Sequence, residues 1–108
     1  MFDQQTPNGY RQVLDKIAMK TRAYGEKTLM SEFRLEKGAQ LPRHSHPHEQ
    51  IGYLVSGRML LTIEEESFTV APGDSWCIAG DSEHQATALE DSLAIEVFSP
   101  RREDYLPK

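Results

Sequence analysis

Turn-forming residues recur along this chain at short intervals, and that rhythm constrains the fold more than any other feature. Gly25, Gly38, Gly57, Pro72-Gly73, Gly80 and Pro100 divide 108 residues into short pieces. Between them lie runs rich in Val, Ile, Leu, Phe and Thr, with polarity alternating residue by residue. Leu29, Ser31, Phe33 and Leu35 share one face of such a run; Met30, Glu32 and Arg34 share the other. Met59–Ile63 and Ser67–Val70 read as a hairpin turning through Glu64–Glu66, a run of like charges suited to a solvated turn. Ser75–Ile78, His84–Leu89 and Leu93–Phe98 are further candidate strands. Many short strands with frequent turn signals predict an all-β sandwich or barrel.

One segment stays open. Val13, Leu14 and Ile17 have helical spacing within Arg11–Met19, yet Ile17–Tyr24 also alternates as a strand does. Residues 1–108 read as one domain, with neither an internal repeat nor a linker. The lone Cys77 staples nothing within the chain, and its alternation with Trp76 turns one of the two inward. A buried, inert thiol is the usual outcome for such a cysteine. Trp76 and Phe68 read as core or interface. Acidic residues number 17 against 12 basic, a formal charge of −5, which argues against nucleic acid and anionic membranes as partners. The first residues carry no basic region followed by an apolar run, so the expectation is a cytoplasmic protein.

Three of the four histidines fall within five residues, in the stretch His44-Ser45-His46-Pro47-His48-Glu49-Gln50. Residues two apart on a strand face the same way, with Cα atoms roughly 6.5–7 Å apart. His44 and His46 can then converge on one ion, at roughly 2.0–2.1 Å if it is zinc. Pro47 interrupts the ladder, and Gln50 can rejoin the same face with its amide oxygen. The fourth ligand must come from another strand, and His84 is the only histidine elsewhere. Glu49 would face away, and His48 is expected to be exposed.

Here the sequence resembles the cupins. Gly38, His44, His46, Gln50 and Gly57 occupy the positions of that family's first motif, with glutamine where glutamate is usual. Gly73 and His84 match the second motif, while Ala79, Asp81 and Ala88 stand where Pro, Gly and Asn are expected. The resemblance runs from about residue 17 to residue 98. It implies a small double-stranded β-helix barrel of jelly-roll type, one divalent metal ion per chain and a homodimer. Zinc, nickel, iron and manganese all suit His and Gln ligands to differing degrees. A neutral amide in place of a carboxylate leaves the ion's charge uncompensated, which favours an anionic substrate oxygen.

Alternation extends the argument beyond the ligands. Gly52 and Leu54 share a face with Gln50, and Gly52 is either a bulge or barrel corner or a space left for substrate. Ala94, Glu96 and Phe98 share one face of the last strand. Two placements remain open for Glu96: a metal-bearing lumen, or solvent beside an edge strand.

The segment Glu96-Val97-Phe98-Ser99-Pro100-Arg101-Arg102-Glu103-Asp104-Tyr105 is similar, together with the histidine stretch, to the pectin-degradation cupins that linearise unsaturated uronates. That resemblance implies a metal-dependent lyase- or isomerase-type enzyme acting on a small anionic sugar. Glu96 stands where the family has a proton-handling aspartate. Phe98 and Arg102 stand where it has residues that touch substrate, although Arg102 also reads as a solvated tail residue. Two other classes compete: an iron-dependent cupin dioxygenase, and a non-catalytic module that binds or senses a small molecule.

Overall fold

Burial along the strands follows the alternation residue by residue. In the computed structural model, which describes residues 1–107, the last strand buries Ser92, Ala94, Glu96 and Phe98 and turns Leu93, Ile95 and Val97 outward. The ten strands are β1 (Arg11–Leu14), β2 (Ile17–Tyr24), β3 (Leu29–Leu35), β4 (Gln40–His44), β5 (Glu49–Ser56), β6 (Met59–Ile63), β7 (Glu66–Val70), β8 (Ser75–Ile78), β9 (His84–Ala88) and β10 (Ser92–Ser99). A short 3-10 turn at Glu103–Tyr105 follows.

The strands form two antiparallel sheets, ordered β1-β2-β3-β10-β5-β8 and β4-β9-β6-β7. They do not close into one hydrogen-bonded cylinder, so the expected barrel is a pair of sheets enclosing a lumen. The open segment at Arg11–Met19 resolves as a hairpin. Lys16 takes a φ of 64° at the turn, and β1 runs back along β2. Helical spacing was present there, but the turn at Asp15–Lys16 cuts the segment after four residues, too few for a stable helix.

The core lies between the sheets. Ile17, Leu54, Met59, Ala88 and Ala94 are each 3% exposed or less. Full burial of a large aliphatic side chain stabilises by about 1.5–3 kcal/mol. Gly57, one of the motif glycines, has a φ of 94°, and a Cβ there would meet Ser92 Oγ at 2.2 Å. Both the left-handed backbone and the close approach require glycine at that turn. It leads β5 out of the six-stranded sheet and into β6 of the other. The hairpin β6–β7 turns through two residues, Glu64 and Glu65, with Glu66 already paired to Ile63. Among the described residues no helix is long and apolar enough to cross a membrane.

Candidate metal centre

The predicted ligands come together at one end of the lumen. His44 ends β4 and pairs with His84, which opens β9, so two imidazoles sit side by side on the four-stranded sheet. Gln50 lies on β5 of the six-stranded sheet, opposite Phe98. His46 is not on a strand at all. It sits in the bend between β4 and β5, so it reaches the centre by loop geometry rather than by strand alternation from His44. One ring nitrogen from each of His44, His46 and His84 lies within 4.8 Å of the others.

Backbone carbonyls set the tautomers. His44 Nδ1 meets the Pro42 carbonyl at 2.9 Å, His46 Nδ1 the His48 carbonyl at 3.0 Å, and His84 Nδ1 the Ser82 carbonyl at 2.9 Å. A carbonyl only accepts, so each Nδ1 carries the proton and each Nε2 presents a lone pair. This is the outer bond that metal-binding histidines ordinarily make. His84 Nε2 is buried and has no hydrogen-bond partner. Burial, ahead of any neighbouring charge, pushes the His46 and His84 imidazoles down from their ordinary pKa and keeps them neutral, as ligation requires.

Gln50 joins this cluster to an acid. Its Nε2 donates to Glu96 Oε2 at 2.9 Å, which leaves Oε1 facing His46 Nε2 at 3.0 Å. With the His46 proton on Nδ1, both of those atoms are acceptors. Two lone pairs at that distance repel, and a cation shared between them removes the conflict. The donor set therefore fits a divalent ion held by His44, His46, His84 and Gln50 Oε1.

Glu96 is buried on the inner face of β10, which decides between its two open placements. Burial pushes its pKa up to about 8, opposed by the bond from Gln50 and by the nearby Trp76 indole. The Trp76 Nε1 itself is buried and lacks hydrogen-bond geometry to any partner. The carboxylate usual at position 50 in cupin motifs is thus found one hydrogen bond further out.

Gly52 faces inward without a bulge, but the space it leaves is filled. A Cβ at position 52 would meet Trp76 Cε2 at 2.1 Å, so the indole crosses directly over this glycine. Gly52 makes room for Trp76 rather than for a substrate, and it does not border the cavity. Trp76 takes the inner face of β8, and Cys77 is consequently exposed, contrary to the buried thiol expected. Phe68 is 45% exposed and belongs to the outside of the molecule. His48 is half-buried instead of exposed, because its bend folds back toward the site, and its Nδ1 has no partner. Glu49 is exposed on the far face, as alternation required.

A cavity of about 340 Å³ opens onto the three histidines, Gln50 and Glu96. Phe98 forms part of its wall, its ring centroid 5.8 Å from that of His46. Arg102 is no solvated tail residue: its side chain is only 16% exposed and stacks over Phe98 and Tyr105. Asp104 and Tyr105 border the cavity too. The sequence assigned neither a role, although both lie in the segment that carries the resemblance and two aromatic residues bracketing an arginine were a usable signal. The acidic turn also has work beyond solvation. Glu64 Oε1 accepts from Ser82 Oγ at 2.9 Å and from the Glu83 N–H at 3.1 Å, bracing the loop that delivers His84.

A cupin-domain family model matches residues 31–99, which include every one of these ligands. The chain is a cupin. Over 107 residues this cupin is 31% identical to the pectin degradation protein KdgF of Dickeya dadantii, covering 97% of this chain and 96% of that one. Its fold superposes on the structure of KdgF from a Halomonas species with a TM-score of 0.93, 34% identity and 98% coverage of both chains. An RmlC-like cupin from Shewanella frigidimarina gives a TM-score of 0.92 at 22% identity, over 97% of this chain and 95% of that one, which bears on the cupin fold alone. The resemblance to pectin-degradation cupins thus holds across nearly the whole chain.

Proposed function

We propose that this cupin is a metal-dependent enzyme that opens the ring of a 4,5-unsaturated uronate. The observation that carries the reading is the continuous line from three imidazoles through Gln50 to the buried acid Glu96. The similarity to KdgF proteins adds the sugar context.

Ring opening is an isomerisation. The anomeric hydroxyl loses a proton, the C1–O5 bond breaks as a carbonyl forms at C1, and the enolate so released takes a proton at C4 and becomes a ketone at C5. When bound, a divalent ion polarises substrate oxygens and stabilises negative charge that develops on them. The chain must supply the proton transfers. Glu96, pushed up to about 8, can release or accept a proton near neutrality. Gln50 holds its carboxyl in the lumen through a hydrogen bond of 2.9 Å. Phe98 walls the sugar ring, and Arg102 takes the substrate carboxylate with its forked donors.

The test is direct. Protein loaded with zinc, nickel, iron or manganese should accelerate the loss of ultraviolet absorbance of unsaturated galacturonate above the spontaneous rate. A rate equal to the uncatalysed one with every metal would overturn the reading.

For the homodimer, the proposed contact is the outer face of the six-stranded sheet. Ile51, Tyr53 and Val55 stand there 52%, 48% and 41% exposed. Tyr53→Lys should yield monomers in sedimentation, whereas an unchanged mass would place the contact elsewhere.

A further inference from the structure

The segment after β10 folds back over the cavity and is clamped there. Arg101 Nη1 donates to the Gly25 carbonyl at 3.0 Å, Arg11 Nη2 to the Asp104 carbonyl at 3.3 Å, and the Thr21 hydroxyl to the Tyr105 carbonyl. Within this segment Arg102 Nε and Nη2 reach Asp104 Oδ1 and Oδ2 at 3.2 and 2.8 Å. The guanidinium carbon lies 4.0 Å from the Tyr105 ring centroid and 5.2 Å from that of Phe98.

We infer that Asp104 makes the site selective for a carboxylate, by holding Arg102 along one edge and leaving the other edge for the acid group of the substrate. The inference rests on the uronate reading and adds a positioning residue to it. A guanidinium has two forked edges. Asp104 takes the Nε/Nη2 fork, and the flanking rings hold the guanidinium between them. The Nη1/Nη2 edge remains, and Nη1 has no protein partner among the described residues. An arginine held this way loses little freedom when it binds an anion, whereas a free one must be ordered at each encounter. The bond from Arg102 also draws the Asp104 carboxyl below the usual carboxylate range, so it stays an acceptor.

The opposite role for Asp104 would be a plug that occupies Arg102 until substrate displaces it. The two roles predict opposite signs. Metal-loaded full-length protein would be titrated calorimetrically with galacturonate and with galactose, which lacks the acid group. Wild type should favour galacturonate. Asp104→Ala should weaken galacturonate binding by about tenfold and leave galactose unchanged, and Asp104→Glu should recover part of the loss. In turnover of unsaturated galacturonate, KM should rise while kcat holds, because the ligands and Glu96 are untouched. The Asp104 side chain is 59% exposed, so the variant should fold; an unchanged unfolding temperature and metal content would confirm it. Tighter or unchanged galacturonate binding in Asp104→Ala would overturn the inference while leaving the uronate reading intact. A wild type that binds galactose as well as galacturonate would overturn both.

Discussion

The two sheets contribute unlike chemistry to the same end of the lumen. The four-stranded sheet supplies His44 and His84, two imidazoles whose Nδ1 atoms are held by backbone carbonyls, leaving each Nε2 for the centre. The six-stranded sheet supplies Gln50, Glu96 and Phe98: an amide, an acid and a ring. His46, on the bend joining the sheets, lies against both sets. In the proposed reading the four-stranded sheet gives the cation two imidazoles, while the six-stranded sheet gives it Gln50 and carries the acid and the ring that would serve proton and substrate, with Gln50 Nε2 donating to the Glu96 carboxyl. Glu96, bonded to Gln50 rather than placed among the proposed ligands, is buried and its pKa is raised.

The sharpest way to break this division is Glu96→Gln. Turnover of unsaturated galacturonate should fall by about 10²–10⁴-fold, the range for loss of a general acid–base group, while elemental analysis finds metal content unchanged. Metal loss in that variant would place Glu96 among the ligands and collapse the distinction between the sheets. On the other side, His84→Ala should cut metal affinity by about 100-fold or more, since changes even outside the coordinating set cost 10–100-fold. Retention of metal at wild-type affinity, in a competition titration against a chelator, would remove His84 from the centre.

Gly52→Ala asks how tightly the acid's surroundings are packed. The new methyl group would collide with Trp76, the indole beside Glu96. Overpacking of this kind costs about 1–3 kcal/mol, to be read from denaturant unfolding. A fully stable variant would show that Trp76 has room to move. The smallest effect belongs to the brace behind His84. The Ser82 hydroxyl, followed by the Glu83 N–H, holds the Glu64 carboxyl below its ordinary pKa. A depressed carboxylate pKa adds stability that is present above the unfolded-state value and lost as pH falls through the folded-state value. The stability difference between wild type and Glu64→Gln should therefore exist at neutral pH and vanish in acid. A difference independent of pH would show that charge at Glu64 plays no part.

The chain's own order carried much of this. Alternation in β5 and β10 assigned the inner faces correctly, because a period of two survives whatever the sheets later do. Motif spacing named His44, His46, Gln50 and His84, which the fold brings together. It misjudged the route for His46, since a one-residue separation looks the same in a strand and in a bend. Alternation also placed Trp76 and Cys77 on opposite faces but could not say which faced inward. That choice depends on Gly52, 24 positions earlier in the chain and its neighbour only across the sheet.

What residue order determined by itself was whatever depends on neighbours a few positions apart: strand faces, turn positions such as Gly57, and the types of ligand available. Tertiary structure alone decided which distant groups became partners. The Gln50–Glu96 bond, the indole crossing Gly52, the brace from Glu64 to the His84 loop and the folding of Arg102 over Phe98 each join residues from separate elements. The reason is physical. Local periodicity follows from backbone geometry, whereas the pKa of Glu96 and the direction of a histidine lone pair depend on which atoms the folded sheets place beside them.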